Sequence, residues 1–316
     1  MAKKPGDDTQ RIDQPTGTAF VGHEWDGIEE LNTPLPRWWL WTFYTTIIWA
    51  LAYVIMYPAW PLVDSATKGM LGWTSRGQLA AEIQAADAKR APLVYALAAI
   101  PVEQLVADQK LYQGAVAGGA AAFKVHCVQC HGSGAIGSKG YPNLNDDDWL
   151  WGGDIAAIHY TLTHGIRNPD HPETRVSAMP AFDGVLTPAE IASVVGHVQS
   201  LSGKAKPNAK GAELFATNCA SCHGADGKGL REFGAPNLTD GIWLYGGDKA
   251  TLTETVKYSR QGVMPRWNDK LDAATIKMLA AYVYSLGGGE ATPAAAAPAT
   301  AAAPAIMEAK AANGQP

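Results

Sequence analysis

Two Cys-x-x-Cys-His motifs constrain this chain more than anything else in it. They hold all four cysteines: Cys127 and Cys130 before His131, Cys219 and Cys222 before His223. No thiol remains for a disulfide framework. Each motif lies inside a longer repeat. GAAAFKVHCVQCHG (119–132) matches GAELFATNCASCHG (211–224). Pro142-Asn143-Leu144 then matches Pro236-Asn237-Leu238, WLWGGD (149–154) matches WLYGGD (243–248), and Met179-Pro180 matches Met264-Pro265. The first copy carries about nine extra residues before its Met-Pro, in the stretch NPDHPETRVS.

The repeat reads as helix. In both copies a Gly, an aromatic four residues on and a Cys four further share one helical face. The first copy closes with Thr187, Pro188 and Glu190, an N-cap, an N1 proline and a capping-box acid. Ile191, Val194, Val195 and Val198 follow at helical spacing. In the second, Asp272 caps a stripe of Ile276, Leu279, Ala280 and Val283. Alternating β-branched runs are scarce, so the fold class is mainly α.

Cys-x-x-Cys-His is the attachment signature of c-type haem. Two thiols bond to the vinyl groups, and the adjacent His is held beneath the iron. Two copies predict two covalently attached haem c groups on Cys127, Cys130, Cys219 and Cys222, with His131 and His223 as proximal ligands. A zinc ribbon would unite both knuckles in one tetrahedral site, but they lie in separate repeats. A dithiol redox motif belongs beside a βαβ pattern, which is absent.

Met179 and Met264 are the expected sixth ligands, since thioether ligation suits electron transfer. Both precede Pro, and neither lies in a helical apolar stripe; Met278 reads as core. His159, His164 and His171 compete in the first copy, so a His/His first haem stays open. Pairing of Met and haem within one repeat is the default, and pairing across repeats is compatible with the spacing. Iron closed on both faces passes electrons and does not activate oxygen, which makes the chain a relay. Trp149 and Trp243 are haem-pocket candidates, Arg167 and Arg260 candidate propionate partners. Asp146-Asp147-Asp148 reads either as a solvated loop or as a patch steering a basic cytochrome.

Upstream, Trp38–Val63 is a 26-residue run without Asp, Glu, Lys, Arg or His. About 20 apolar residues cross a bilayer core as a helix. Trp38, Trp39 and Trp41 crowd one end, Tyr57 and Trp60 the other, as interface aromatics do. Pro58 and Pro61 are placed to end the helix. The run starts late and lacks a small-residue cleavage site, unlike a signal peptide. Such a span also accounts for a charged fraction of only 17% against a typical ~25%. A net charge of −5 argues against a nucleic-acid partner. Arg37 on one side and Lys68 and Arg76 on the other lean weakly against an inside N-terminus. RGQLAAEIQAADAKR (76–90) predicts one short helix in a connector.

HEWDGIEELNTPLPRWWLWTF (23–43), YPAWPL (57–62) and the two haem motifs together resemble the dihaem CcoP/FixP subunits of cbb3-type cytochrome c oxidases. The resemblance spans all but the tail ATPAAAAPATAAAPA. It implies a single N-terminal transmembrane helix followed by two class I cytochrome c-like domains in tandem. The expected division is a cytoplasmic segment 1–36, a transmembrane helix 37–63, a periplasmic connector 64–106, cytochrome c domains at 107–204 and 205–289, and an Ala/Pro-rich tail at 290–316. The resemblance further implies a bacterial inner-membrane protein with periplasmic haems, overriding the Lys/Arg count. In such domains Pro142 and Pro236 offer their carbonyls to the proximal His rings. The implied partners are a donor cytochrome c, a monohaem c subunit and the oxygen-reducing, proton-pumping haem–copper subunit. Two rivals stay open: a dihaem subunit of a quinone-linked dehydrogenase, and a membrane-tethered shuttle without fixed partners.

Overall fold

The computed structural model describes residues 11–291. The Ala/Pro-rich tail, but for its first residues, lies outside them. The chain divides into two compact units at Asp87–Ala88.

Within the expected N-terminal segment 1–36, the first unit forms a hairpin. Strands β1 (Phe20–Trp25) and β2 (Ile28–Leu31) pair antiparallel. They turn at Asp26-Gly27, both at positive φ (49° and 84°), as a two-residue hairpin with this dipeptide prefers. Helix α1 (Arg37–Met56) has no buried residue and is long and apolar enough to cross a membrane. Its 20 residues extend about 30 Å at 1.5 Å each. Thr42, Thr45 and Thr46 donate their hydroxyls to Trp38 O, Trp41 O and Phe43 O at 2.7–2.9 Å, so these three hydroxyls are satisfied within the helix, as an apolar medium requires. The charge-free run continues to Val63, but the helix stops at Met56. Pro58 excludes helical geometry at Tyr57, which is extended at φ −114°, ψ 161°. The chain then turns back on itself: Ala59 N and Trp60 N donate to Thr67 Oγ1 at 3.2 and 3.1 Å.

Helix α2 (Ser75–Ala99) is longer than the short helix expected and carries Pro92 within it. Its C-terminal end belongs to the second unit. There Lys277 Nζ donates to Leu97 O, Ala98 O and Ile100 O at 2.9, 3.0 and 2.6 Å. A cation thus satisfies carbonyls that a helix end leaves unpaired.

The second unit contains both repeats, in two separate hydrophobic clusters. The first copy supplies α3 (Gln109–His126), α4 (Val128–His131), α5 (Ile155–His164) and α6 (Pro188–Leu201). The second supplies α7 (Ala209–Asn218), α8 (Ala220–His223), α9 (Lys249–Tyr258) and α10 (Ala273–Tyr284). Helix α6 has the complete Thr187–Glu190 capping box, and Asp272 caps α10 through Thr275 N.

The clusters do not follow the sequence repeats. One joins α3 and α5 to α10 and to the Met264–Leu271 stretch. The other joins α7 and α9 to α6. Each copy's closing segment therefore packs on the other copy. The crossings are equivalent. A Cβ on Gly119 of α3 would lie 2.0 Å from Met278 O of α10, and one on Gly211 of α7 would lie 2.2 Å from Ser193 O of α6. Only glycine lets the two backbones approach so closely. One turn on, Phe123 meets Tyr282 and Phe215 meets His197, each at 5.2 Å between ring centroids. The copies are tandem along the chain and interlocked in space.

Candidate haem sites

Each Cys-x-x-Cys-His segment forms the same short turn. Cys127 closes α3 with its N–H on Phe123 O, and His131 N donates to Cys127 O at 2.9 Å. Cys219 closes α7 on Phe215 O, and His223 N donates to Cys219 O at 2.9 Å. Gly132 and Gly224 leave the turns at φ 78° and 76°, where a side chain would be strained.

The two motif histidines are fixed in one tautomer. His131 Nδ1 lies 3.1 Å from Pro142 O, and His223 Nδ1 lies 3.2 Å from Pro236 O. A carbonyl only accepts, so each Nδ1 carries the proton and each Nε2 keeps its lone pair. Burial lowers both imidazole pKa values, and the proline carbonyl opposes it. Both rings are therefore neutral at pH 7, as a metal ligand must be. Burial pushes the Cys127 and Cys219 thiols up to about 11, the second cysteine of each pair adding to it. Reactive dithiols shift the other way, so the redox-motif reading loses its support.

Met179 and Met264 reach these turns from opposite copies. A cavity of about 650 Å³ is lined by Cys219, Cys222 and His223 of the second copy, with Met179 of the first. Met264 instead packs against the cluster that buries Cys127. The loops that carry them are held alike. Phe182 N donates to Val256 O at 3.2 Å, and Trp267 N donates to Leu162 O at 3.0 Å. Ser259 Oγ holds Met179 O, while Ile166 and Met264 exchange both main-chain bonds at 2.9 and 3.0 Å. Each methionine thus travels with the closing helix that crosses over.

The WLxGGD repeat builds the pocket wall. A Cβ on Gly153 or Gly247 would lie 2.3 or 2.5 Å from the indoles of Trp149 and Trp243, so the second glycine makes room for the ring. The aspartates, Asp154 and Asp248, cap α5 and α9. Trp149 Nε1 donates to Gly288 O at 2.6 Å. Trp243 Nε1 is buried without a protein partner and lines the cavity. An orphaned donor there, among apolar Val194, Val198, Phe215, Leu238 and Leu252, fits an amphipathic prosthetic group with acidic edges.

Arg167 and Arg260 both line this cavity. Arg260 stacks on Tyr245 and bonds Thr255 Oγ1, Thr251 O and Glu254. Its counterpart is Arg175, which sequence reasoning missed: Arg175 stacks on Trp151 and bonds Thr161 Oγ1 and Ala157 O. Counting back from each Met-Pro was the available signal, since Arg175 precedes Met179 by four residues as Arg260 precedes Met264. Arg167 spends Nε and Nη1 on Gly262 O and Ser177 O at 2.6 and 2.9 Å. His164 and His171 bond to each other, Nδ1 to Nε2 at 2.8 Å.

An apolar helix long enough to cross a membrane and two cytochrome c-type units in tandem define a c-type cytochrome. Residues 17–64 match the family model of the N-terminal domain of cytochrome oxidase-cbb3, FixP. Residues 114–198 and 206–283 match that of cytochrome c oxidase, cbb3-type, subunit III. Among curated relatives, the Cbb3-type cytochrome c oxidase subunit CcoP of Cereibacter sphaeroides is 54% identical, over 88% of this chain and 97% of its own. The FixP subunits of Azorhizobium caulinodans and Rhizobium meliloti are 53% and 51% identical, over 88% and 90% of this chain and 96% and 99% of theirs. The chain belongs to the CcoP/FixP family of cbb3-type cytochrome c oxidase subunits.

Proposed function

We propose that this chain is the dihaem electron-relay subunit of a cbb3-type terminal oxidase. It carries one haem c on Cys127 and Cys130 and a second on Cys219 and Cys222. His131 and Met264 would hold the iron of the first, and His223 and Met179 that of the second. The observation that carries this reading is the repeated turn with each His Nδ1 tied to a proline carbonyl and a methionine brought in from the other copy. Bound there, haem supplies a one-electron couple, and His/Met ligation sets it at high potential.

The protein's own residues do the rest. Pro142 and Pro236 hold the imidazoles in orientation. The crossed loops fix each thioether. Trp243 Nε1 is placed to bond an acidic edge of the group. The N-terminus lies in the cytoplasm and both sites in the periplasm, where haem c is attached. Electrons pass from a donor cytochrome c to a monohaem c subunit and on to the haem–copper subunit that reduces oxygen and pumps protons. Helix α1 anchors the chain beside that subunit, and its ends mark the two interfaces.

The test is twofold. Reduced pyridine spectra must give two c haems per chain; any other count refutes the reading. Met179→Ala and Met264→Ala must each convert one site to high-spin iron. Combined with the Cys219→Ala and Cys222→Ala pair, which removes one haem, Met264→Ala must still perturb the site that remains, and Met179→Ala must not. The reverse result would restore pairing within each copy.

A further inference from the structure

The nine or so residues that distinguish the first copy form a closed loop. Ile166 and Arg175 are bridged in parallel, and Arg167 N donates to Arg175 O at 2.7 Å. The excursion between them carries His171 and Glu173. His164, the last residue of α5, meets both: its Nδ1 lies 2.8 Å from His171 Nε2 and 3.3 Å from Glu173 Oε2. Two imidazoles and a carboxylate so gathered suggest a cation site, but a fourth group decides otherwise. Arg266 Nη1 lies 3.1 Å from His171 Nδ1. Guanidinium only donates, so His171 Nδ1 accepts and its proton sits on Nε2. That N–H points at His164 Nδ1, which accepts in turn. The nitrogen a metal would need on His171 is occupied by a proton.

We propose that the His164–His171 pair is a redox-linked proton site serving the Met264 haem alone. The inference rests on the crossed assignment above. Protonation at His164 Nδ1 must break the His–His bond, because two N–H groups then face each other. The new N–H has a ready acceptor in Glu173. The same segment is stitched to the Met264 loop. Ile166 exchanges both main-chain bonds with Met264, Arg266 follows Met264 by two residues, and a Cβ on Gly165 would lie 2.5 Å from Met264 O. A charge at His164 therefore appears against the strap that holds one haem. The electron goes to the iron, the proton comes from bulk water to His164 Nδ1, and both leave on reoxidation.

The groups facing His164 set its range. Burial lowers its pKa first; Glu173 raises it, while His171 and Arg175 lower it. Arg266, paired with Asp269 at 3.4 Å, stands behind His171. The Tyr160 ring lies tilted against His164, centroids 4.3 Å apart. On the same helix His159 interacts with it, with Lys277 and Glu103 beyond. His164 is thus neutral at pH 7 and charges on the acid side.

The second copy lacks the insertion and is the built-in control. In spectroelectrochemical titrations of the full-length holoprotein, Met264→Ala first identifies which redox transition belongs to that site. In the otherwise unaltered protein, that transition should fall in potential as pH rises through the pair's titration, with proton affinity five- to tenfold higher in the reduced state. The other transition should stay flat. His171→Gln should flatten the first. Glu173→Gln should move its pH range to lower values, and an NMR titration of the His164 ring should move with it. A flat profile at the identified site overturns the proton site and leaves the relay reading intact. A Met264→Ala variant that moves neither transition overturns the assignment beneath it. Stoichiometric zinc binding lost in His171→Gln would make the cluster a metal site and overturn the proposal.

Discussion

The interlocking of the two copies predicts which aromatic residues are energetically coupled. Phe123 is 1% exposed and meets Tyr282 across the α3–α10 crossing at 5.2 Å with rings tilted by 55°. Tilted pairs at this separation contribute about 1 kcal/mol beyond the area they bury. Phe123→Leu and Tyr282→Leu each conserve most of the packed volume, so each should cost about 1.5 kcal/mol. The double variant should cost about 2 kcal/mol rather than the sum, because the pair term is lost only once. The control is Phe123→Leu with His197→Leu. In an arrangement closed within each copy, His197 would take the place of Tyr282. In the interlocked one it faces Phe215, so the control pair should be additive to within about 0.5 kcal/mol. Denaturant titration of the full-length holoprotein in detergent, followed by near-UV circular dichroism and by haem absorbance, measures both cycles. Coupling between Phe123 and His197, with none between Phe123 and Tyr282, would refute the crossed packing and the methionine assignment that travels with it.

Other consequences are simpler to read. Lys277→Met leaves three carbonyls at the end of α2 without their cation, and should cost about 2 kcal/mol; hydrogen exchange at 97–100 should rise with it. Asp148 is held up at about 6 by burial and by Asp240, so the folded state binds its proton more tightly than the unfolded chain. Stability should therefore fall as pH rises from about 4 to about 6. With half the group in solvent, Asp148→Asn should recover about 1 kcal/mol at pH 7 and remove that slope, as melting temperatures at several pH values would show. Gly211→Ala adds a Cβ 2.2 Å from Ser193 O, so overpacking of about 3 kcal/mol should exceed the ~1 kcal/mol gained in helix propensity. A raised melting temperature would refute the close crossing. Trp243→Phe removes a donor that lacks a protein partner; if a bound acidic edge accepts from it, the holoprotein should lose about 1 kcal/mol instead of gaining stability.

Local chemistry was legible in the sequence wherever one short segment decided it. The carbonyl contacts of Pro142 and Pro236, 11 and 13 residues from their histidines, follow from the family resemblance, but the capping box at Thr187–Glu190 and the cap at Asp272 depend on neighbours a few residues away. So does the helix stop before Pro58, although the charge-free run overstated its reach by continuing to Val63. The Asp26-Gly27 hairpin is legible in its turn chemistry, although the segment around it is polar in composition. Arg175 was hidden differently: its partners repeat those of Arg260, but the insertion shifts it out of register with the motif before it.

The crossing was harder to see, and the reason is symmetry. Gly119 and Gly211 offer the same notch, and α6 and α10 the same apolar stripe, so the face of a helix cannot tell which copy's notch it fills. The connections break the tie. Between α6 and α7 the chain has only residues 202–208, and a short link favours an antiparallel neighbour over a distant one. Asn208 locks that choice. Its Oδ1 caps α7 through Gly211 N at 3.1 Å, while its Nδ2 donates to Ser193 O at 2.9 Å on α6. Once α6 fills the notch of α7, the notch of α3 is left to α10, which arrives last along the chain. Each methionine is tied to the loop before its closing helix, so the choice made at 202–208 also decides which sulfur faces which histidine. On this view lengthening that link by a flexible insertion removes the bias toward the crossed form, and Asn208→Ala should weaken it further. Both variants should populate a second conformer, visible as a second set of sulfur-to-iron charge-transfer bands, while the haem count stays unchanged.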